Sequence, residues 1–157
     1  MKLKSLVYED FVQYKKPSMF IGTCYCDWKC EKEYGSDCHC QNSPAYNEKI
    51  VDCDDEQLVK EYLKNPITKA VVIGGFEPFL QYDELIRFIE TFRKKCDDDI
   101  VIYTGYTEKE KCDTIERLRE YKNIIIKVGR YIPNQTPHLD KVLGVKLASD
   151  NQYAIKL

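Results

Sequence analysis

The residues able to do chemistry are concentrated in one stretch, Cys24-Tyr-Cys-Asp-Trp-Lys-Cys30, continued by Cys38-His-Cys40-Gln-Asn42. Five of the eight cysteines and one of the two histidines fall within 17 residues, a crowding that marks a site. Sulfur and imidazole donors so spaced can form a disulfide framework, a four-coordinate zinc site or the seat of an iron–sulfur cluster. The first ten residues carry charges at both ends and no long apolar run, so they read as neither a signal peptide nor a membrane span. A reducing, cytoplasmic setting is therefore expected, in which cysteines serve as thiols and metal ligands rather than disulfides. Cys53, Cys96 and Cys112 are scattered, and read as buried or half-buried thiols with no further role.

The totals narrow the field further. With 157 residues, 43% hydrophobic and 32% charged, the chain reads as one domain, residues 1–157, able to close a single core. Its net charge of −2 provides no basic footprint for nucleic acid and no attraction to a membrane.

The elements that must position the cysteines follow from hydrophobic patterning. Residues 4–17 read as an irregular or strand-like lead-in, and Ser18-Met-Phe-Ile-Gly-Thr23 as the apolar run that delivers the chain to the cysteines. A long polar loop occupies 31–53, which makes the cluster loop about 24–53; loops of that length in compact domains are usually functional or disordered. Asp54 with Gln57 caps a helix that turns Leu58, Val59, Tyr62 and Leu63 to one face, and Asn65-Pro66 ends it. Ala70-Val-Val-Ile73 has the fully apolar character of a strand buried on both sides. Asp83 can cap a second helix with Leu85, Ile86, Ile89 and Phe92 inward. Ile100-Val-Ile-Tyr103 is the next strand. Thr107 and Glu110 form a capping box for a third helix with Cys112, Ile115 and Leu118 inward, and Ile124-Ile-Ile126 follows. Val142–Leu147 reads as a fifth strand and Tyr153–Leu157 as a last apolar segment. Alternating strands and helices of this kind predict right-handed βαβ units and a parallel sheet.

Parallel sheets bind ligands at the carboxyl ends of their strands. The expected strand ends are Cys24–Cys30, Gly74-Gly-Phe-Glu-Pro78, Thr104-Gly-Tyr-Thr107, Val128-Gly-Arg130 and Ala148-Ser-Asp-Asn-Gln152. All are rich in glycine or small polar residues and would share one rim. A small polar ligand suits them, because glycine lets the backbone approach closely and Glu77 can receive an ammonium group.

These segments together resemble the radical S-adenosylmethionine (SAM) enzymes, and in particular the activating proteins of anaerobic ribonucleotide reductase. The family's C-x3-C-x2-C pattern is met in its first part by Cys26-Asp-Trp-Lys-Cys30, while position 33, where the third cysteine would stand, is Glu. The activating proteins follow their third cysteine with His-Asn, and Cys40 is followed by Gln41-Asn42. The resemblance thus implies Cys26, Cys30 and Cys40 as cluster ligands, with a nine-residue insertion before the third. Cys38 rivals Cys40 for that place, and Cys24 rivals Cys26. Gly74-Gly-Phe-Glu-Pro78 resembles the family's Gly-Gly-Glu-Pro segment, with Phe76 in place of a glycine. Tyr103-Thr-Gly-Tyr106 resembles the activating proteins' Tyr-Thr-Gly-Tyr. Val128-Gly-Arg-Tyr131 is similar to their Asp-Gly-aromatic segment, with Val for Asp, and Ser149-Asp-Asn-Gln152 to their Ser-x-Asn-Gln. The similarity runs over about residues 18–157.

What the resemblance implies is an incomplete parallel (βα) barrel of about five to six strands holding a [4Fe-4S] cluster and SAM. Gly74, Gly75 and Glu77 would meet the methionyl amine of SAM, and Thr104 and Gly105 would line its wall. The reduced cluster would cleave SAM to methionine and a 5′-deoxyadenosyl radical. In so short a chain, the implied substrate is a protein: a glycyl radical enzyme similar to anaerobic ribonucleotide reductase, with flavodoxin or ferredoxin as electron donor. Two alternatives stand beside it. One is a radical SAM enzyme acting on a small molecule, resembling carboxy-deazaguanine synthase. The other is a zinc-binding interaction module built on Cys24, Cys26, Cys30, Cys38, His39 and Cys40. His138 and His39 read as loop residues, Trp28 as packing against the cluster loop, and Lys127 and Lys146 as cations near strand ends.

Overall fold

The computed structural model describes residues 1–35 and 40–157; Cys38 and His39 lie outside the described residues. In chain order the strands are β1 (Lys2–Leu3), β2 (Ser5–Asp10), β3 (Ser18–Gly22), β4 (Val51–Asp52), β5 (Ala70–Gly74), β6 (Asp99–Tyr103), β7 (Ile124–Val128), β8 (His138–Leu139), β9 (Lys146–Leu147) and β10 (Tyr153–Lys156). The α-helices are α1 (Lys29–Tyr34), α2 (Asp55–Lys64), α3 (Tyr82–Arg93) and α4 (Cys112–Leu118).

One six-stranded sheet, ordered β10-β7-β6-β5-β3-β2, forms the centre. The four inner strands are parallel, joined through the helices, as the alternation of patterns predicts. Apolar runs such as Ala70-Val-Val-Ile73 belong at the centre because both faces of the sheet are covered. Odd and even positions separate into two cores. Met19, Ile21, Val71, Ile73, Ile100, Ile102, Ile124 and Ile126 pack under Leu58, Val59, Leu85, Phe88, Ile89, Phe92, Ile115 and Leu118 of the helices. On the opposite face, Ala70, Val72, Val101 and Ile125 meet Tyr14, Leu143, Leu147 and Ala154, from segments without helix.

The sheet is open and mixed around its parallel centre: the α/β class stands, and the incomplete parallel (βα) barrel expected from the resemblance is not shown. Its outer positions are taken by β2 and β10, each antiparallel to its neighbour. Tyr14, Leu143 and Leu147 fill the face a barrel would enclose. Val142–Leu147 is not a fifth strand of this sheet. Gly144 adopts φ +73° in a turn whose amide donates to Asp140 O, and this breaks the run. Only Lys146–Leu147 extends, pairing with β8.

Smaller differences have local causes. The 31–53 segment holds the end of α1, a 3₁₀ turn at Ser43–Asn47, and β4, which pairs with β1. Asp54 caps α2 as expected, accepting from the Gln57 amide at 3.2 Å. The buried stripe of α2 is Asp55, Leu58, Val59 and Tyr62; Leu63 lies one position beyond it and is exposed. Helix α3 starts at Tyr82, so Asp83 stands in its first turn rather than at the cap, where its charge still suits the helix dipole. The Thr107–Glu110 box forms, with the Thr107 amide on Glu110 Oε2 at 2.9 Å and the Glu110 amide on Thr107 Oγ1 at 3.3 Å. It closes a turn ahead of α4, which begins only at Cys112, leaving that thiol exposed on the first turn. Cys53 and Cys96 are half-buried free thiols. Among the described residues no helix is long and apolar enough to cross a membrane.

Candidate functional site

The carboxyl ends of β3, β5, β6 and β7 converge on one rim, and a cavity of about 290 Å³ opens there. Cys26, Cys30 and Cys40 all line it, together with Gly75, Glu77, Thr104 and Gly105. Gly74 ends β5 just beneath, where an added Cβ would lie 3.1 Å from Tyr103 Cβ. The residues expected at the site thus meet in one place, although they come from positions 26 to 105 of the chain. Cys24 does not line the cavity. It is buried with its amide donating to Gln81 Oε1 at 2.9 Å, and burial pushes its thiol pKa up.

Several contacts hold the cysteine segment. Trp28 caps α1 in the left-handed region at φ 57°, a conformation uncommon for a bulky residue. Its amide donates to Cys26 Sγ at 3.4 Å, and its ring packs edge-on to Tyr46 and Phe76 at 5.4 and 5.8 Å. Phe76 therefore serves as a packing surface for the segment that carries Cys26 and Cys30. Asn42, which follows Cys40-Gln41, donates its amide to Gly75 O and so ties the third cysteine's segment to the end of β5. Burial raises the Cys26 thiol to about 11. Burial also raises Cys30, against the lowering effects of the Tyr131 amide and of the Arg130 and Lys127 charges. Binding iron requires the thiolate, so those cations favour the binding-competent form.

Glu77 is the brace of the rim. Pro78 opens a 3₁₀ turn after β5, where a missing N–H costs nothing, and Glu77 caps that turn by accepting from the Phe79 amide at 3.1 Å. The same carboxylate accepts from Thr104 Oγ1 and from the Gly105 amide, both at 2.8 Å. The Glu77 amide donates to Tyr25 O at 2.7 Å. One side chain thus links the ends of β5 and β6, while its backbone reaches the cysteine segment. Burial pushes the Glu77 carboxyl up, opposed by these three donors. Oε2 accepts a single bond and keeps capacity for another donor. Glu77→Gln places an amide NH₂ against one of these donors and costs about 1–3 kcal/mol, read as a lower urea midpoint with unchanged slope; an unchanged midpoint would contradict the bracing role.

Around this brace lies a second network. Arg130 forms a bidentate pair with Glu110 at 3.0 and 2.7 Å, reaches Glu33 of α1 at 3.5 Å, and stacks 5.4 Å from the Tyr106 ring. Tyr106 donates to Asp27 Oδ2 at 2.7 Å. These contacts lash the cysteine segment to the ends of β6 and β7. Arg130 holds the Glu110 carboxyl down at about 2, against an ordinary value of about 4.3. The unfolded chain therefore takes up this proton first as pH falls. The stability contributed by the pair is complete above about pH 4.3 and is lost as pH drops toward about 2. Thermal unfolding across that window should fall less steeply in Glu110→Gln than in the parent; equal slopes would contradict it.

Asn151 and Gln152 close the rim from the C-terminal side. Asn151 Nδ2 donates to Arg130 O at 2.9 Å, and Gln152 Oε1 accepts from the Ala148 and Ser149 amides, both at 3.1 Å. Ser149 Oγ accepts from the Ile132 amide at 2.8 Å. The Ser-x-Asn-Gln segment is thus a backbone clamp on the loop after β7. Residues that sequence reasoning left out of the site include Arg130, Tyr106, Asp27 and Lys127. Asp27, Tyr106 and Arg130 fall within the strand-end segments singled out in the sequence but have no role of their own in that reading, and Lys127 stands out as a cation near a strand end.

Three thiols facing one cavity suit an iron–sulfur cluster, which spreads its thiolates over separate irons and leaves a fourth iron for another ligand. Among the described residues, no three His, Cys, Asp or Glu side chains gather closely enough to hold a single metal ion. An α/β protein with thiols, glycine turns and a buried carboxylate on its strand ends is the class this rim defines. Residues 18–152 match the family described as a 4Fe-4S single cluster domain, and the chain belongs to that family. No curated protein and no solved structure matches the chain.

Proposed function

We propose that this protein is a radical SAM enzyme of the glycyl-radical-enzyme activating type. The observation that carries the reading is the convergence of Cys26, Cys30 and Cys40 with the Gly74–Pro78 and Thr104–Gly105 segments on one open rim. Cys26, Cys30 and Cys40 would hold the [4Fe-4S] cluster. Gly74, Gly75 and Glu77 would receive the methionyl end of SAM. When bound, the cluster supplies an electron to the SAM sulfonium, which yields methionine and a 5′-deoxyadenosyl radical able to abstract hydrogen.

The chain's own part is positioning. Glu77 offers a buried carboxylate with remaining acceptor capacity to the SAM ammonium. Thr104 and Gly105 are positioning residues, since both donate to Glu77. Gly75, at φ +83°, turns the backbone where a Cβ would lie 3.3 Å from Gly22 Cα. The cavity lies at the low end of ligand-site volumes, so bound SAM would stay open toward the rim. That favours a protein substrate presenting a backbone glycine over an enclosed metabolite. The electron would come from flavodoxin or ferredoxin.

The test is anaerobic incubation of reconstituted protein with SAM, reductant and an anaerobic ribonucleotide reductase subunit. Formation of 5′-deoxyadenosine together with a glycyl radical signal on the subunit is expected. Cleavage of SAM with no radical on any such partner would sink the activase assignment, and absence of cleavage would sink the enzyme reading.

A further inference from the structure

Strand β7 reads Ile-Ile-Ile-Lys-Val and is buried throughout. Its one charge, Lys127, sits in the cavity wall shared with Cys30. The ammonium donates to Gly129 O at 2.7 Å and makes no ion pair among the described residues. An ammonium has three donors, and burying one with a single acceptor is costly unless a negative charge stands nearby. Burial disfavours the charged form, and the negative charges of Glu77 and of Cys30 as the thiolate favour it. Glu77 is already engaged by Thr104, Gly105 and Phe79. Arg130, the other cation by Cys30, is neutralised by Glu110 and Glu33. Lys146 also lines the cavity but is exposed, so among the described residues Lys127 is the buried cation of this wall that has no ion-pair partner.

We infer that Lys127 sets the reduction potential of the cluster, its buried ammonium favouring the reduced state. The inference rests on the cluster reading of Cys26, Cys30 and Cys40. Reduction moves one electron from an external low-potential donor, which is oxidised, onto the cluster, which gains one negative charge. A fixed cation in a poorly screened wall stabilises that added charge. Electron uptake from the donor becomes easier, and the reduced state becomes correspondingly less reducing toward whatever it serves.

Potentiometric titration of the reconstituted full chain, followed by the electron paramagnetic resonance signal of the reduced state, tests this on Lys127→Met and Lys127→Arg. Both variants should carry about four irons, as the parent does. At a fixed potential the reduced-to-oxidised ratio of the Met variant should fall at least tenfold, about 59 mV for one electron, while the Arg variant stays near the parent. A Met variant titrating with the parent would overturn the proposal and leave the cluster reading intact. Should the Met variant fail to load, Lys127→Gln reads the same effect. Loading by Arg alone would make the residue one for assembly and overturn the proposal. A parent chain that takes up no iron would overturn the cluster reading itself.

Discussion

Replacing Cys26, Cys30 or Cys40 singly with serine is expected to abolish cluster binding, with iron content falling from about four per chain to near none. All three line the one cavity, and no further cysteine among the described residues lines it as a substitute. A serine hydroxyl preserves the shape but ionises far less readily than a thiol, so it is a poor ligand for iron. The loss is not an unfolding effect, because the three thiols are half-buried and belong to neither apolar core. Circular dichroism of the variants should therefore match the parent. Cys24→Ala and Cys112→Ala should retain their iron, since neither thiol lines the cavity. A Cys40 variant with its full complement of iron would exclude Cys40 as the third ligand and make Cys38 the next position to test.

Gly129→Ala destabilises the fold by about 2–6 kcal/mol, from about 1–3 for a backbone that favours glycine and about 1–3 for the clash. Gly129 sits at φ +94°, and an added Cβ would lie 2.4 Å from Asn151 O and 3.2 Å from Gln152 Cα. These are backbone atoms and cannot swing aside. They are also fixed in place, by Asn151 on Arg130 O and by Gln152 on the Ala148 and Ser149 amides. The Gly129 amide donates to Tyr106 O at 3.0 Å, so displacement there disturbs the Tyr106–Asp27 link to the cysteine segment as well. Urea unfolding measures the cost; a loss below about 1 kcal/mol would mean the loop relaxes freely, against the clamp described for residues 149–152.

The parallel centre of the fold is legible in the sequence because Ala70-Val-Val-Ile73, Ile100-Val-Ile-Tyr103 and Ile124-Ile-Ile126 are too short for helices and too apolar for a half-exposed sheet. Closure of the sheet is not legible. It depends on what covers the second face, and Tyr14 and Leu143 come from segments without periodicity. Val142–Leu147 misleads because its composition suits a strand while Gly144 bends it. At the site, the cysteines and glycine turns stand out by residue type and spacing. The brace does not, because Glu77 reaching Thr104 and Gly105 is a contact across 27 and 28 positions that no local pattern encodes. The Arg130–Glu110–Glu33 network is hidden for the same reason, since charged residues in loops look alike until the fold brings them together.

On the proposed function, three cysteines on this rim would hold a cluster whose remaining iron is open to SAM. Electron paramagnetic resonance of the anaerobically reconstituted, dithionite-reduced protein, recorded with and without SAM, tests it most directly. A reduced [4Fe-4S] signal whose shape changes on adding SAM is expected, with no such change when the cluster's fourth iron is blocked by excess thiol. A reduced cluster signal that SAM leaves unchanged, or a chain that takes up zinc and no cluster, would contradict it.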